Sequence, residues 1–374
     1  MKNSVILIVC LIMLAFVAHS QTLKVPEMVL EEPSAGRRVR VTPEEYKGTD
    51  VFYSLYLPKE HTSEGSYPII IEYTGNKHKA TGSSGLVQDA SLGYAAAIHT
   101  GAIWAVMPFV DGESSMTNWW GVEEETIEFA ITNIRRICEN YGGNHAQVFI
   151  CGFSRGAIAV NYIGLYNEEI ADVWNGFFSH DHYDGQREWR GNWGAPLVDY
   201  QDAAKIRLSR MKGRAALASQ NGSTPGKVRA YFDANNLNNF GEITHNEFLV
   251  QDIIKDIPNE IVTHSHTDQW MLWESDAKDK VMNWFEEVLQ KHPGTYTISG
   301  EVISEEKVPL EGILVQSGRT HFTKTDKYGA YKIEGLVSGE RMIRIPKFNK
   351  HKIIDLASDC YNIDFKIDLT HSNE

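Results

Sequence analysis

Cysteine is scarce in this chain of 374 residues: Cys10, Cys138, Cys151 and Cys360 are the full set. Cys10 falls inside an apolar run near the start and Cys151 inside a later one. No pair or quartet has the spacing of a disulfide framework or a zinc site, so the fold must rest on its core. Positive charge is also short, with 36 Lys and Arg against 49 Asp and Glu and a net charge of −13. Such a balance speaks against nucleic acid or an anionic membrane surface as a partner, and it leaves a small or neutral substrate open. Repeats and low-complexity segments are missing, and beyond the first twenty residues no stretch is apolar and long enough to cross a bilayer. An apolar fraction of 42% beside 23% charged residues is that of an ordinary globular protein.

The beginning of the chain stands apart. Lys2 is followed by an apolar run from Val5 to Val17 and then by Ala18-His19-Ser20, with small residues at the positions expected before a cut ahead of Gln21. Residues 1–20 read as a secretory signal peptide, and the run is short for a membrane anchor. Export to a periplasm or to the cell exterior is the expectation.

From there the pattern alternates. Strands are expected at 38–42, at 51–57, at 67–75 and at 103–110; the last two are apolar and β-branched, as strands buried on both faces are. A Gly/Ser-rich loop spans 81–85, with a short helix after it at 92–99. Residues 122–141 carry Ile127, Ala130, Ile131, Ile134 and Ile137 at helical spacing, with acidic residues in the first turn and Gly142-Gly143 as the stop. Further strands are expected at 173–179, 214–219 and 261–264, a helix start at Thr224-Pro225, and an amphipathic helix at 277–291. Strands and helices alternating in this way predict an α/β fold with an open, mostly parallel sheet, where ligands bind at the carboxyl ends of the strands. After His292-Pro293-Gly294 the helical period stops. Short alternating strands at 298–302, 312–315, 329–333, 341–345 and 362–367 predict a small all-β sandwich. The division is thus a signal at 1–20, a first domain at 21–292 and a β-sandwich at 296–370.

One stretch organises the first domain. Val148 to Cys151 is apolar, Gly152-Phe-Ser-Arg-Gly156 follows, and small and apolar residues continue to Val160. Strand, tight turn and helix in that order form a nucleophile elbow, in which glycines two before and two after Ser154 let strand and helix pass closely. A serine hydroxyl needs a base, and the base needs a carboxylate to orient it. The base is expected in Thr263-His-Ser-His-Thr-Asp-Gln269, with His266 favoured over His264 because it lies further into the loop. The loop after residues 214–219 holds no carboxylate. The preceding loop, Ser179-His-Asp-His-Tyr-Asp-Gly185, offers Asp184 as first choice, beside a turn glycine, and Asp181 as second; Asp233 and Glu242 remain open. An oxyanion hole needs N–H donors, expected at Arg155, the residue after the nucleophile, and at Thr74 and Gly75. Trp119 and Trp120, and the aromatic insertion at 186–193, could line the substrate side.

These motifs resemble an exported bacterial branch of the α/β-hydrolase superfamily over roughly residues 40 to 291. The resemblance implies a serine esterase with no metal and no organic cofactor. The C-terminal segment resembles carboxypeptidase regulatory-like (transthyretin-like) domains through Ile298-Ser-Gly-x-Val302, Pro309-Leu-x-Gly312, Thr325-Asp326, Gly329-x-Tyr331 and Gly335-Leu336. Such modules accompany secreted hydrolases of polysaccharide-degrading bacteria, which suggests a carbohydrate ester as substrate and leaves the partner of the sandwich unknown. Two other readings stand beside this one. A hydrolase-like chain without its orienting acid could act as a binding protein. Alternatively, His264-Ser-His266-Thr-Asp268, supplemented by His180 and His182, resembles a zinc motif whose closing histidine is replaced by Gln269.

Overall fold

The structure, a computed structural model, describes residues 23–188, 197–220, 226–258 and 260–369. The expected signal peptide, the helix start at Thr224-Pro225 and the greater part of the 186–193 insertion lie outside the described residues.

Nine strands build the main sheet: β1 (Met28–Val29), β2 (Arg38–Val41), β3 (Tyr53–Tyr56), β4 (Tyr67–Tyr73), β5 (Ile103–Met107), β6 (Gly143–Phe153), β7 (Gly176–His180), β8 (Ala215–Gln220) and β9 (Glu242–Glu247). Their order is β1-β2-β3-β5-β4-β6-β7-β8-β9. Only β3 runs antiparallel to its neighbours; β5, β4 and β6 to β9 are all parallel. The strand order reverses around β4, with β5 on one side and β6 on the other. A crevice opens at such a switch point, at the carboxyl ends of the strands.

The central strands are apolar on both faces because both faces are covered. In β4, Ile69 and Ile71 pack into one core with helices α2 (Glu123–Tyr141) and α3 (Arg155–Tyr162), whereas Ile70 packs into the other. That second core holds α1 (Leu92–Thr100) and the last helix of the domain, α8 (Asp276–Lys291). Helices α4 (Glu168–Ala171) and α5 (Leu197–Ser209) follow α3 and β7; α6 (Lys227–Asn235) and α7 (Val250–Ile254) flank β9. Ser275 caps α8 by accepting from the Lys278 N–H, which places its start one residue before the expected one.

One strand assignment is corrected. Residues 261–264 form no strand; the last strand of the sheet is β9, whose Glu-Ile-Thr-His-Asn-Glu sequence is polar because it is an edge.

Beyond α8 the chain forms β10 (Thr295–Ser304), β11 (Leu314–Ser317), β12 (His321–Lys324), β13 (Ala330–Val337), β14 (Gly339–Ile345), β15 (Lys350–Leu356) and β16 (Phe365–Ile367). They make a three-stranded sheet, β13-β10-β16, and a four-stranded one, β12-β11-β14-β15, around a separate core that includes Ile298, Val315, Ile333 and Ile343. The sandwich docks where β6 begins. Gly335 packs against Ala146, and the Arg341 guanidinium pairs with Asp172. Nine residues separate His145 from Ser154 along β6, roughly 30 Å of extended chain, so the sandwich and the elbow lie at opposite ends of the sheet.

Candidate active site

The turn at the end of β6 is strained in the way the sequence motif requires. Ser154 has φ 55° and ψ −115°, outside the comfortable regions for a residue with a side chain. A Cβ on Gly152 would lie 2.2 Å from the Gly156 carbonyl oxygen, and one on Gly156 would lie 1.9 Å from that of Tyr73. Glycine is obligatory at both. Strand β6 hands directly to α3, so Ser154 stands at a helix N-terminus whose first N–H groups have no intrahelical acceptor.

Ser154 and His266 meet. The Ser154 hydroxyl donates to His266 Nε2 at 3.0 Å, and His266 Nδ1–H donates to the Asp181 carboxylate. His264 serves the loop instead: its Nδ1 accepts from the His266 backbone N–H at 2.8 Å.

The first choice for the orienting acid is corrected. Asp184 is fully buried and forms a two-pronged pair with Arg207, at 2.7 and 3.0 Å, facing α5 and not the cleft. The chain turns sharply after β7, so the nearest carboxylate beyond the strand end reaches the histidine. That residue is Asp181, at φ 81°, a left-handed position that Asp tolerates better than most residues. Its backbone N–H is held by the Ser219 carbonyl at 2.8 Å. Asp233 sits on α6 and bonds Asn238, and Glu242 opens the edge strand, exposed.

The electrostatics separate the roles. Burial would push the Asp181 carboxyl up, but the hydrogen bond from His266 and the surrounding imidazoles together hold it down at about 2. Burial pushes His180 down to about 4 and His182 down to about 3. Near neutral pH both rings are therefore uncharged while Asp181 is an anion. His180 belongs to the scaffold: its Nδ1 contacts Ser219 Oγ at 2.6 Å and its ring packs on Phe248 and Trp270.

Gly75 lies directly against Ser154, where an added Cβ would meet the serine Cβ at 3.3 Å. The Thr74–Gly75 backbone thus borders the space in which an oxyanion would form, with the Arg155 N–H at the helix start. Beyond its backbone, Arg155 has a part the sequence reading missed. Its buried guanidinium donates to Thr74 O (3.3 Å), Thr74 Oγ1 (3.0 Å), Met116 O (3.1 Å) and Trp119 O (2.7 Å), and lies over the Phe109 ring. One side chain ties the donor loop to the loop after β5. The substrate-lining role expected of Trp120 is corrected: it is 1% exposed and stacks on Tyr162 and against Phe109, which is core packing. Trp119 is half-buried against the same core, its N–H held by Asn76. The cleft beside His266, about 270 Å³, is walled instead by Thr81, Gly82, Ser83, Ser84 and Leu86 on one side and by Thr267 and Gln269 on the other.

Among the described residues, one group has ligand-type atoms close enough for a metal, Asp181, His182 and His266, all within 4.8 Å of one another. It differs from the expected zinc motif, since Asp268 is not in the group and accepts from the Ser91 N–H. Both ring nitrogens of His266 are already engaged, one by Asp181 and one by Ser154, so the trio fits a proton relay better than a metal centre.

No family model matches the chain, and no curated protein matches it in sequence. Solved structures with a similar fold include a thermostable esterase (14% identity, TM-score 0.39), an esterase from Rhizomucor miehei (10%, 0.44) and the isopeptidase AtxE2 (14%, 0.41). They cover 67%, 68% and 68% of this chain, and the chain spans 62%, 83% and 40% of their lengths. All three TM-scores fall below 0.5, and the assignment to the α/β-hydrolase fold rests instead on the strand order and the turn at Ser154.

Proposed function

We propose that the protein is a secreted serine hydrolase that cleaves a carboxylic ester through Ser154, His266 and Asp181. The observation that carries this reading is the unbroken relay from the Ser154 hydroxyl through His266 to Asp181, set on a strained elbow. His266 Nε2 takes the serine proton as Oγ attacks the ester carbonyl, and the anionic Asp181 stabilises the imidazolium so formed. The oxyanion of the tetrahedral intermediate lies toward the Arg155 N–H and the Thr74–Gly75 backbone. Collapse expels the alcohol, which leaves with the proton from Nε2. Water then attacks the acyl-enzyme by the same route in reverse roles.

The hydroxyl-rich walls of the cleft, Thr81, Ser83, Ser84 and Thr267, support a hydroxylated substrate, and a polysaccharide or oligosaccharide ester fits that chemistry. The leader at residues 1–20 supports export. Purified protein assayed on a simple aryl ester, then on acetyl, feruloyl and methyl-uronate esters of sugars, tests both halves. Hydrolysis that disappears in Ser154→Ala, in a protein that still folds, is the expected result. Full activity in that variant overturns the proposal, and activity on aryl esters alone overturns the carbohydrate half.

A further inference from the structure

Strand β4 carries a charge where its neighbours carry isoleucine. Glu72 lies on the same face as Ile70 and is 1% exposed. Burying a carboxyl there costs several kcal/mol unless hydrogen bonds replace its water. Three do: the Leu92 N–H at 3.1 Å, the Gly93 N–H at 2.8 Å and Trp104 Nε1–H at 2.9 Å. The N–H just ahead of these, that of Ser91, goes to a different carboxyl, Asp268, at 2.9 Å. Three consecutive N–H groups at the start of α1 are therefore divided between two acidic side chains from distant parts of the chain. Burial pushes both carboxyls up, and the charge of Asp268 pushes Glu72 further. Arg38 faces the pair, its guanidinium over the Trp104 ring and bonded to Ser54, Val87 and Gln88. The site tolerates no bulk, since a Cβ on Gly93 would lie 2.8 Å from Trp104 Nε1.

What the two carboxyls are attached to gives the arrangement its meaning. Asp268 follows His266 by two residues, and Glu72 precedes Thr74 by two. The loop that carries the base and the loop that borders the oxyanion space are thus both referred to one rigid point, the first turn of α1. We infer that Asp268 and Glu72 are positioning residues, a two-carboxyl clamp on the start of α1 that holds the His266 loop and the Thr74–Gly75 loop in one frame around Ser154. This rests on the serine-hydrolase reading above. Neither residue touches the reacting atoms; each acts through the loop it anchors.

The experiment compares Asp268→Ala, Asp268→Asn and Glu72→Gln with wild type by steady-state kinetics on an aryl ester and by the rate of fluorophosphonate labelling at Ser154, all at a temperature where circular dichroism shows folded protein. A shift of about 1 Å in a catalytic group lowers rate on the order of 10²-fold. Asp268→Ala should lose kcat by about that factor, label Ser154 correspondingly slowly, and keep KM within about twofold. Asp268→Asn retains an acceptor for the Ser91 N–H and should recover most of the lost rate. Glu72→Gln should lose rate by a smaller factor in the same pattern, because the amide keeps one acceptor oxygen. Lowered thermal stability with unchanged kcat and labelling means a purely structural clamp and overturns the inference. A raised KM with unchanged kcat overturns it too, since Asp268 would then be contacting substrate. Where Asp268→Ala does not fold, the other two variants decide. A wild type that neither hydrolyses nor labels removes the underlying hydrolase reading instead, which is a distinguishable failure.

Discussion

Strand β6 has a group of histidines at each end, and they could hardly differ more. At the carboxyl end, His180, His182 and His266 surround Asp181 beside a cleft. At the amino end, His145 and His321 face each other under the sandwich, with Phe322 stacked on His145 and the Arg341 charge close to His321. Burial holds His145 down at about 4 and His321 well below its ordinary value. The first group has a carboxylate hydrogen-bonded to one ring, a serine at 3.0 Å and a solvent-reaching cavity; the second is packed by aromatic rings, with the charges of Arg341 and Glu334 acting on it. A histidine cluster becomes chemistry only where an anion orients one ring and a nucleophile meets its other nitrogen. The same contrast recurs within one loop, where Asp181 faces His266 and Asp184 faces Arg207.

Substitution of the two aspartates gives the sharpest break of that contrast. Asp181→Asn should lower kcat by about 10⁴-fold, as loss of the orienting acid does in serine hydrolases, with little change in thermal stability. Asp184→Asn should do the opposite. It leaves the Arg207 charge unpaired and mostly buried, destabilises by about 3–5 kcal/mol, and leaves the kcat of the folded fraction near wild type. Urea denaturation beside steady-state kinetics checks both, and a reversed pattern would show that the acid has been misassigned.

The pH dependence of stability follows from the neutral histidines at both ends. The folded pKa values of His145 and His180, about 4, lie below the roughly 6.5 of an unfolded histidine. The unfolded chain therefore binds more protons in that window, and stability is complete above about pH 6.5 and falls as pH drops toward 4. Urea midpoints measured across this range should decline on acidification, and His145→Gln should flatten part of the decline without altering ester hydrolysis near neutrality. A midpoint independent of pH would contradict the buried, neutral state of these rings.

The smallest effect concerns the docking of the sandwich. Arg341→Ala removes the pair with Asp172 and the hydrogen bond to the Val337 carbonyl, which is worth about 1–3 kcal/mol. With the site roughly 30 Å away, kcat on a small ester should not move. A kinetic change in this variant would connect the two ends of β6.

Much of this was legible in the chain. The elbow was readable because Gly-x-Ser-x-Gly came with an apolar strand before it and small residues after it, and His266 because it lay in a polar loop ahead of the last amphipathic helix. The acid was not readable. Asp181 and Asp184 differ by one turn of loop, and only the backbone at φ 81° decides which faces inward. Strand β9 was missed because an edge strand need not be apolar, and Trp120 was misread because an aromatic beside a loop looks the same in sequence whether it faces solvent or core. Glu72 did leave a signal. A lone carboxylate after three isoleucines in a strand buried on both faces must be satisfied by something, and that something is the start of α1.

The most direct measurement is mass-spectrometric mapping of a fluorophosphonate adduct on folded wild type, urea-unfolded wild type and Asp181→Asn. Stoichiometric adduct on Ser154 in the folded protein, none in the unfolded chain and a rate lowered by about 10³-fold or more in Asp181→Asn is the expected result. Absence of adduct in folded wild type, or equal labelling of folded and unfolded chains, would contradict an activated serine at this elbow.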